Sequence, residues 1–127
     1  MASSIERKNM YDTTNIFARI LRGEIPCKKV YEDEFVLAFY DISPKAPTHI
    51  LVIPKGAYID ISDFGARASA AEIEGFFRAV AKISAAEHLT EHGFRSIANS
   101  GLHGGQEVPH FHLHLLGGKS IGPMVSG

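Results

Sequence analysis

The chain has 127 residues, with 13 lysines and arginines against 14 aspartates and glutamates, for a formal net charge of −1. This length suits one compact domain with a buried core. The balanced charge argues against a general attraction to nucleic acid or to an anionic membrane surface. Cys27 is the only cysteine, which excludes an internal disulfide. The polar start and the lack of any run of about 20 apolar residues predict a cytoplasmic protein without a membrane partner.

The N-terminal part predicts a flexible tail over residues 1–13, followed by one domain over residues 14–127. The stretch "NIFARILRGEIP" spaces four apolar residues as a short helix does and ends in glycine and proline. "KKVYEDEFVLAFYDI" predicts a hairpin of strands 30–32 and 35–40, because aromatic and β-branched residues dominate both sides of an acidic turn. Residues 48–53, bounded by prolines, predict a third, largely buried strand.

The clearest helix starts at Ser69, which forms a capping box with Glu72, and it is predicted to end at Gly93. Its apolar stripe comprises Ile73, Phe76, Phe77, Val80 and Ile83. Residues 94–99 and 110–116 predict two further strands around a glycine-rich loop. The fold class is therefore α+β, with a five-stranded antiparallel sheet and two helices, one short and N-terminal and one long and central, on one face.

The run "VPHFHLHLLGG" places His110, His112 and His114 at every second position. In a strand this spacing puts all three imidazoles on one face and the intervening apolar residues on the other. Strand propensity gives no reason to repeat histidine, so the repetition indicates chemistry.

Two chemistries suit such a face. One is zinc binding, since a catalytic zinc can use three histidines. The other is phosphoryl transfer, in which a neutral imidazole attacks phosphorus and a neighbour fixes its tautomer. The preceding "HGGQ" favours the second, because glycines let backbone N–H groups approach a phosphate closely. A separate "HLTEH" at residues 88–92 places two histidines on one helical face but offers no third zinc ligand, and capping or a solvated face explains it better.

Taken together, "NIFARILRGEIP", "YEDEFVLAFYDISPKAPTHILVIPK", "NSG" and "GGQEVPHFHLHLLGG" resemble the histidine triad family of nucleotide-binding proteins, specifically its Hint branch. The resemblance runs from about residue 15 to the C-terminus and implies the histidine triad fold. It also implies a purine nucleoside phosphoramidase that hydrolyses adenosine 5′-phosphoramidates and aminoacyl or lysyl adenylates. Its partners would be a purine nucleoside monophosphate or phosphoramidate and a second copy of the chain in a homodimer.

The resemblance assigns roles to individual residues. His112 would be the nucleophile that forms a nucleotidyl-histidine intermediate. His110 and His49 would orient and polarise it from behind, and His114 would contact the phosphate or the leaving group. Asp41 would accept hydrogen bonds from the ribose hydroxyls. The base would lie in an apolar slot, and the phosphate against the glycine loop; these nucleotide-binding positions are Ile16, Phe17, Phe39, Ile42, Asn99, Gly105, Gln106 and Glu107.

Two departures qualify the resemblance. Many relatives have Ser or Thr where this chain has Glu107, and a carboxylate beside a phosphate repels it unless it turns away. Relatives with a structural zinc carry a Cys-x-x-Cys pair where this chain reads "NIFA", so we predict no metal and no other cofactor. Three alternatives stay open from the residues: a dinucleoside polyphosphate hydrolase, a non-catalytic nucleotide-binding or scaffold module, and a zinc hydrolase.

Overall fold

A computed structural model describes residues 10–125 of the chain. Within that range the chain forms five strands and three helices. The strands are β1 (Lys29–Glu32), β2 (Val36–Tyr40), β3 (Thr48–Pro54), β4 (Arg95–Ile97) and β5 (Leu113–Gly117), and the helices are α1 (Ile16–Leu21), α2 (Ile61–Arg67) and α3 (Ala70–Ala86). The strands pair in the order β1-β2-β3-β5-β4, and every pairing is antiparallel. The predicted α+β class with a five-stranded antiparallel sheet is confirmed.

The sheet is apolar on both faces, because β2 and β3 are buried at consecutive positions rather than at alternate ones. One set of alternating residues packs under α3 (Val36, Ala38, Ile50 and Val52). The other set packs under Phe17 of α1 (Leu37, Phe39, Leu51 and Ile53). The expectation that the helices lie on one face is therefore wrong, since α1 covers the face opposite to α3.

Helix α3 starts where the sequence predicts. Ser69 Oγ accepts from the Glu72 N–H at 3.1 Å, and the Glu72 carboxylate accepts from the Ser69 N–H at 3.0 Å. Phe76 is fully buried, but Phe77 is 54% exposed, so it flanks the buried stripe instead of belonging to it. The helix also ends at Ala86 rather than at Gly93; His88, with a φ of 61°, and buried Leu89 follow it in a series of turns.

Helix α2 is absent from the sequence prediction. Asp60 begins it by accepting from the Asp63 N–H at 2.9 Å, and Asp63 accepts from the Ile59 N–H at 2.8 Å. The Asp63 carboxylate also forms an ion pair with Arg67 one turn later. These caps stabilise a helix of seven residues that contains Gly65, a residue that normally weakens helices.

The histidine run straddles the start of a strand. Only residues from Leu113 onward belong to β5, whereas the sequence predicts a strand from residue 110. The alternation nevertheless continues through the run: Phe111 and Leu115 enter the core under α3, and His112 lies against Phe17 on the opposite face. The sheet therefore presents the histidines on the face that α1 covers.

At least one residue before the predicted domain boundary at residue 14 packs against the domain. Residues 1–9 of the predicted tail lie outside the described residues, as do residues 126–127. Tyr11, however, is half-buried and hydrogen-bonds to His110. Between residues 10 and 125, no helix is long and apolar enough to span a bilayer.

Candidate active site

His112 is held as a neutral imidazole, and its Nε2 lone pair has no hydrogen-bond partner among residues 10–125. Its Nδ1 lies 2.7 Å from the His110 carbonyl oxygen. Because a carbonyl only accepts, Nδ1 carries the hydrogen and Nε2 carries the lone pair. The ring is 7% exposed, and the edge of Phe17 meets it with centroids 4.9 Å apart. Burial lowers the pKa of His112 below its ordinary value, so Nε2 is available as a nucleophile at neutral pH.

His110 supports His112 from the fully buried side of the run. Its side chain is 0% exposed, and its Nε2 donates to the Pro54 carbonyl at 2.8 Å. Its Nδ1 therefore accepts, and the donor is the Tyr11 hydroxyl at 2.6 Å. Burial lowers the pKa of His110 to about 4. His110 thus stays neutral and offers its backbone carbonyl, rather than its ring, to the His112 imidazole.

His49 contacts His114 and not His112. The Lys45 N–H donates to His49 Nδ1 at 3.0 Å, so His49 Nε2 carries a hydrogen and donates to His114 Nδ1 at 2.9 Å. By the same reasoning His114 carries its hydrogen on Nε2. The expectation that His49 orients the nucleophile directly is therefore corrected: it fixes the tautomer of His114. Burial and the neighbouring histidines lower the pKa of His114 to about 4, which makes it a neutral N–H donor.

Asp41 lies at the exit of β2, beside this histidine pair. Its Oδ1 accepts from the Ser43 N–H at 2.7 Å, and its Oδ2 lies 3.6 Å from His49 Nε2. The side chain is 20% exposed, so the carboxylate is partly accessible to a ligand. An ionised carboxylate only accepts, which suits pairs of vicinal hydroxyls.

Asp41, His49 and His114 form the group most suited to holding a metal within the described residues, since one ligand atom from each lies within 4.8 Å of the others. The histidines already satisfy one another, because the His49–His114 hydrogen bond uses the two nitrogens that face each other. A bound metal would have to replace that bond. His49 and His114 form a hydrogen-bonded pair, with the Asp41 carboxylate 3.6 Å from His49, and the three side chains would fit zinc only after rearrangement.

The loop before the histidine run is braced by Gln106. Its side-chain oxygen accepts from the Gly101 N–H at 3.0 Å, and its Nε2 donates to the Ile59 and Val108 carbonyls. The side-chain amide of Gln106, a residue predicted to line the phosphate, is thus engaged within the protein. Gly105 has a φ of 70°, a conformation that favours glycine. Glu107 is exposed, and its charge raises the pKa of His112 slightly against the effect of burial.

The four side chains predicted to form the base slot divide into two kinds. Phe17 and Phe39 are 6% and 4% exposed and pack edge to face at 5.6 Å, so they belong to the core under α1. Ile16 and Ile42 are 43% and 95% exposed. Only the two isoleucines offer free apolar surface to a ligand, while Asn99 lies half-buried after β4.

Two other sequence candidates behave as ordinary residues. The "HLTEH" pair does not lie on a helix, because α3 ends before it, and His88 Nδ1 lies 3.4 Å from Glu91. Cys27 is partly buried, and burial raises the pKa of its thiol. A raised pKa leaves the thiol protonated and unreactive at neutral pH.

Sequence reasoning missed Tyr11. The signal that could have found it is "YDTTN", in which Asp12 Oδ1 accepts from both the N–H and the hydroxyl of Thr14. Asn15 then caps α1 by accepting from the Ala18 N–H at 2.9 Å. A side-chain-capped turn of this kind is ordered structure, not a tail.

The buried histidines make folding stability depend on acid. The pKa of His110 is about 4 in the folded protein and about 6.5 when unfolded. The unfolded chain therefore binds more protons between these values, and stability falls as pH falls through this window. We expect His110 alone to remove about 3 kcal/mol between pH 7 and pH 4. Urea unfolding should show that the wild type and the exposed-site control His92→Ala lose the same amount of stability as each other, at least the His110 contribution, between pH 7 and pH 4. A free energy of unfolding that stays constant over this range would contradict the expectation.

Known proteins resemble this chain in both sequence and fold. The model of the HIT domain family matches residues 22–121. An uncharacterised 13.2 kDa HIT-like protein of Azospirillum brasilense is 59% identical over 91% of this chain and 95% of its own length. The purine nucleoside phosphoramidase of Escherichia coli K12 is 48% identical over 87% of this chain and 92% of its own. The crystal structure of a HIT family hydrolase from Legionella pneumophila superposes with a TM-score of 0.79 and 42% identity, covering 86% of this chain and 96% of that one.

Proposed function

Because this chain belongs to the HIT domain family, we propose that it is a hydrolase that cleaves the P–N bond of purine nucleoside phosphoramidates through a nucleotidyl-histidine intermediate. The observation that carries the proposal is the free Nε2 lone pair of His112, fixed by the hydrogen bond of its Nδ1–H to the His110 carbonyl. The E. coli relative with 48% identity is named for this activity, which supports the same substrate class.

In the first step, His112 Nε2 attacks the α-phosphorus and the P–N bond breaks, with its electron pair going to nitrogen. Solvent protonates that nitrogen, which leaves as a neutral amine. The His112 ring is then a positively charged phosphoryl-imidazolium. Its charge is stabilised by the His110 carbonyl 2.7 Å from Nδ1 and by the carboxylates of Asp41 and Glu107, both of which favour positive charge on this ring.

In the second step, water attacks phosphorus, the Nε2–P bond breaks, and its electron pair returns to His112. The water loses a proton to solvent, and the nucleoside monophosphate is released. Throughout, the Nε2–H of His114 donates to a phosphoryl oxygen or to the departing nitrogen, and His49 keeps it in that tautomer. Two steps with a good nucleophile replace one difficult direct hydrolysis.

The groups around His112 would bind the nucleotide. The partly exposed carboxylate of Asp41 would accept hydrogen bonds from the ribose hydroxyls, and the exposed Ile16 and Ile42 would flank the base. The glycine loop around Gly105, with Asn99, would face the phosphate, and the N–H groups of Gly105 and Gln106 hold that loop by donating to the Leu102 and Gly101 carbonyls. Exposed Glu107 would point away from the anion, since a carboxylate in contact with it would weaken binding.

Assays with adenosine 5′-phosphoramidate and with a diadenosine polyphosphate separate the candidate functions. The proposal expects release of AMP and amine from the first substrate and slow cleavage of the second. Preference for the polyphosphate would favour the dinucleoside polyphosphate hydrolase. Nucleotide binding without turnover of either substrate would favour a binding module.

We also propose a homodimer that joins the β4 edges of two copies. β4 ends the strand order, and an edge strand offers unpaired backbone groups to a second strand. Phe94, just before β4, and Phe77 on α3 are 36% and 54% exposed, and both would supply apolar contact area to a second copy.

Sedimentation velocity tests the dimer. Phe77→Glu is expected to shift the protein toward the monomer, because it would bury a charge at the interface. The matched control Ile61→Glu changes a side chain that is 43% exposed on α2 and should sediment as the wild type does. A monomeric wild type, or a Phe77→Glu protein that sediments unchanged, would contradict the proposal.

A further inference from the structure

Tyr11 reaches the least accessible histidine of the site. Its hydroxyl lies 2.6 Å from His110 Nδ1, and the two rings meet edge to face with centroids 5.6 Å apart. His110 itself is fully buried. The sequence separates these partners by 99 residues, so the contact exists only in the folded protein.

The direction of this hydrogen bond follows from the hydrogen bond at the other nitrogen of the His110 ring. The Pro54 carbonyl at His110 Nε2 can only accept, so Nε2 carries the hydrogen. Nδ1 is then an acceptor, and the Tyr11 hydroxyl is its donor. Without that hydroxyl, Nδ1 would be a buried acceptor with no protein partner, which costs free energy unless the ring or a water rearranges.

The segment that carries Tyr11 is anchored on α1. Asp12 accepts from Thr14 through its side chain, and Asn15 Nδ2 donates to the Asp12 carbonyl at 2.7 Å. Arg22 donates to the Thr13 carbonyl at 2.8 Å. These contacts hold the Tyr11 backbone in place, so that its ring reaches His110 with little freedom to lose.

The backbone of His110 connects Tyr11 to His112 Nε2, the proposed reacting atom. Its carbonyl accepts from His112 Nδ1–H at 2.7 Å, and this bond aims the Nε2 lone pair. The His110 ring is fixed at both nitrogens, and this holds the His110 backbone in place; loss of the Tyr11 bond would leave the His110 carbonyl less firmly held. Any shift of that carbonyl changes the angle at which His112 meets phosphorus, and rates depend steeply on that angle.

We infer that Tyr11 is a positioning residue that acts through His110 to aim the nucleophile His112; the inference rests on the proposed function. It assigns an activity-setting role to a side chain that precedes the first described helix. Tyr11 makes no contact with the reacting atoms, so its effect should appear in the catalytic step and not in substrate binding.

The test compares Tyr11→Phe with Tyr31→Phe. Each change deletes one partly buried tyrosine hydroxyl. Tyr31 lies on β1, away from the histidines, and its hydroxyl donates to the Asp33 carboxylate at 2.7 Å. We expect Tyr11→Phe to lower kcat by about three- to tenfold with KM nearly unchanged. Tyr31→Phe should keep the wild-type kcat. Equal kcat in wild type and Tyr11→Phe, or an equal fall in both variants, would overturn the inference.

A second readout does not depend on turnover. In ¹⁵N NMR spectra of the ligand-free protein, Tyr11→Phe should shift the His110 Nδ1 resonance and speed exchange of the His112 Nδ1–H proton, while Tyr31→Phe leaves both unchanged. Unaltered His110 and His112 resonances in Tyr11→Phe would overturn the inference even if kcat fell. If the wild type hydrolyses no phosphoramidate, the proposed function fails, and these resonances still decide whether Tyr11 positions His112.

Discussion

His112→Ala is expected to lower kcat for adenosine 5′-phosphoramidate by about 10⁴-fold or more, because it removes the proposed nucleophile. The neighbouring rings cannot replace it: His110 Nε2 donates to Pro54, and His114 presents an N–H rather than a lone pair. Alanine leaves a cavity beside Phe17, so the circular dichroism spectrum and urea midpoint should be measured alongside the rate.

The matched control for this experiment is His92→Ala, which removes an exposed histidine outside the site. It should retain the wild-type kcat. A His112→Ala enzyme that keeps more than about a tenth of the wild-type kcat would remove His112 from the nucleophilic role. Retained nucleotide affinity in the inactive variant would separate loss of chemistry from loss of the pocket.

Phe76→Ala is expected to lower the free energy of unfolding by about 3–5 kcal/mol, the usual cost of truncating a fully buried aromatic side chain. Phe76 is 0% exposed, and its ring lies 5.3 Å from that of Phe64 and 5.0 Å from that of Phe111. Phe111 stands between His110 and His112 in the sequence, so this cluster lies directly behind the site. A loss of this size is a large fraction of the free energy of unfolding of a typical domain.

Phe76→Leu is the control for size, since leucine refills much of the volume, and it should cost about 1 kcal/mol. Urea unfolding followed by circular dichroism measures both variants. A cost below 1 kcal/mol for Phe76→Ala would show that the aromatic cluster does not dominate the core under α3.

The strands and the face shared by the three histidines are predictable from the sequence, because local patterns encode them. Alternation of His110, His112 and His114 with apolar residues predicts a shared face whether or not every residue is formally in a strand, and the structure keeps that alternation. The capping box at Ser69 and Glu72 is likewise a local signal that needs no tertiary contact.

The remaining features depend on contacts between distant segments. The two-sided apolar pattern of β2 and β3 does not indicate which helix covers which face, so the sequence predicts α1 on the wrong face of the sheet. Helix α2 is too short, and its Gly65 too unfavourable, for periodicity to reveal it. The partners of His49 and Tyr11 lie 65 and 99 residues away, so neither hydrogen bond leaves a trace in local sequence.

The most direct measurement is mass spectrometry of the protein mixed briefly with adenosine 5′-phosphoramidate and quenched in base, where phosphorus–nitrogen bonds to histidine survive. The proposed mechanism predicts a mass increase of one adenylyl group on the peptide that contains His112, and none in His112→Ala. Turnover without an adduct would contradict covalent catalysis. It would point to direct attack by water, with Asp41, His49 and His114 as the first group to test for bound zinc.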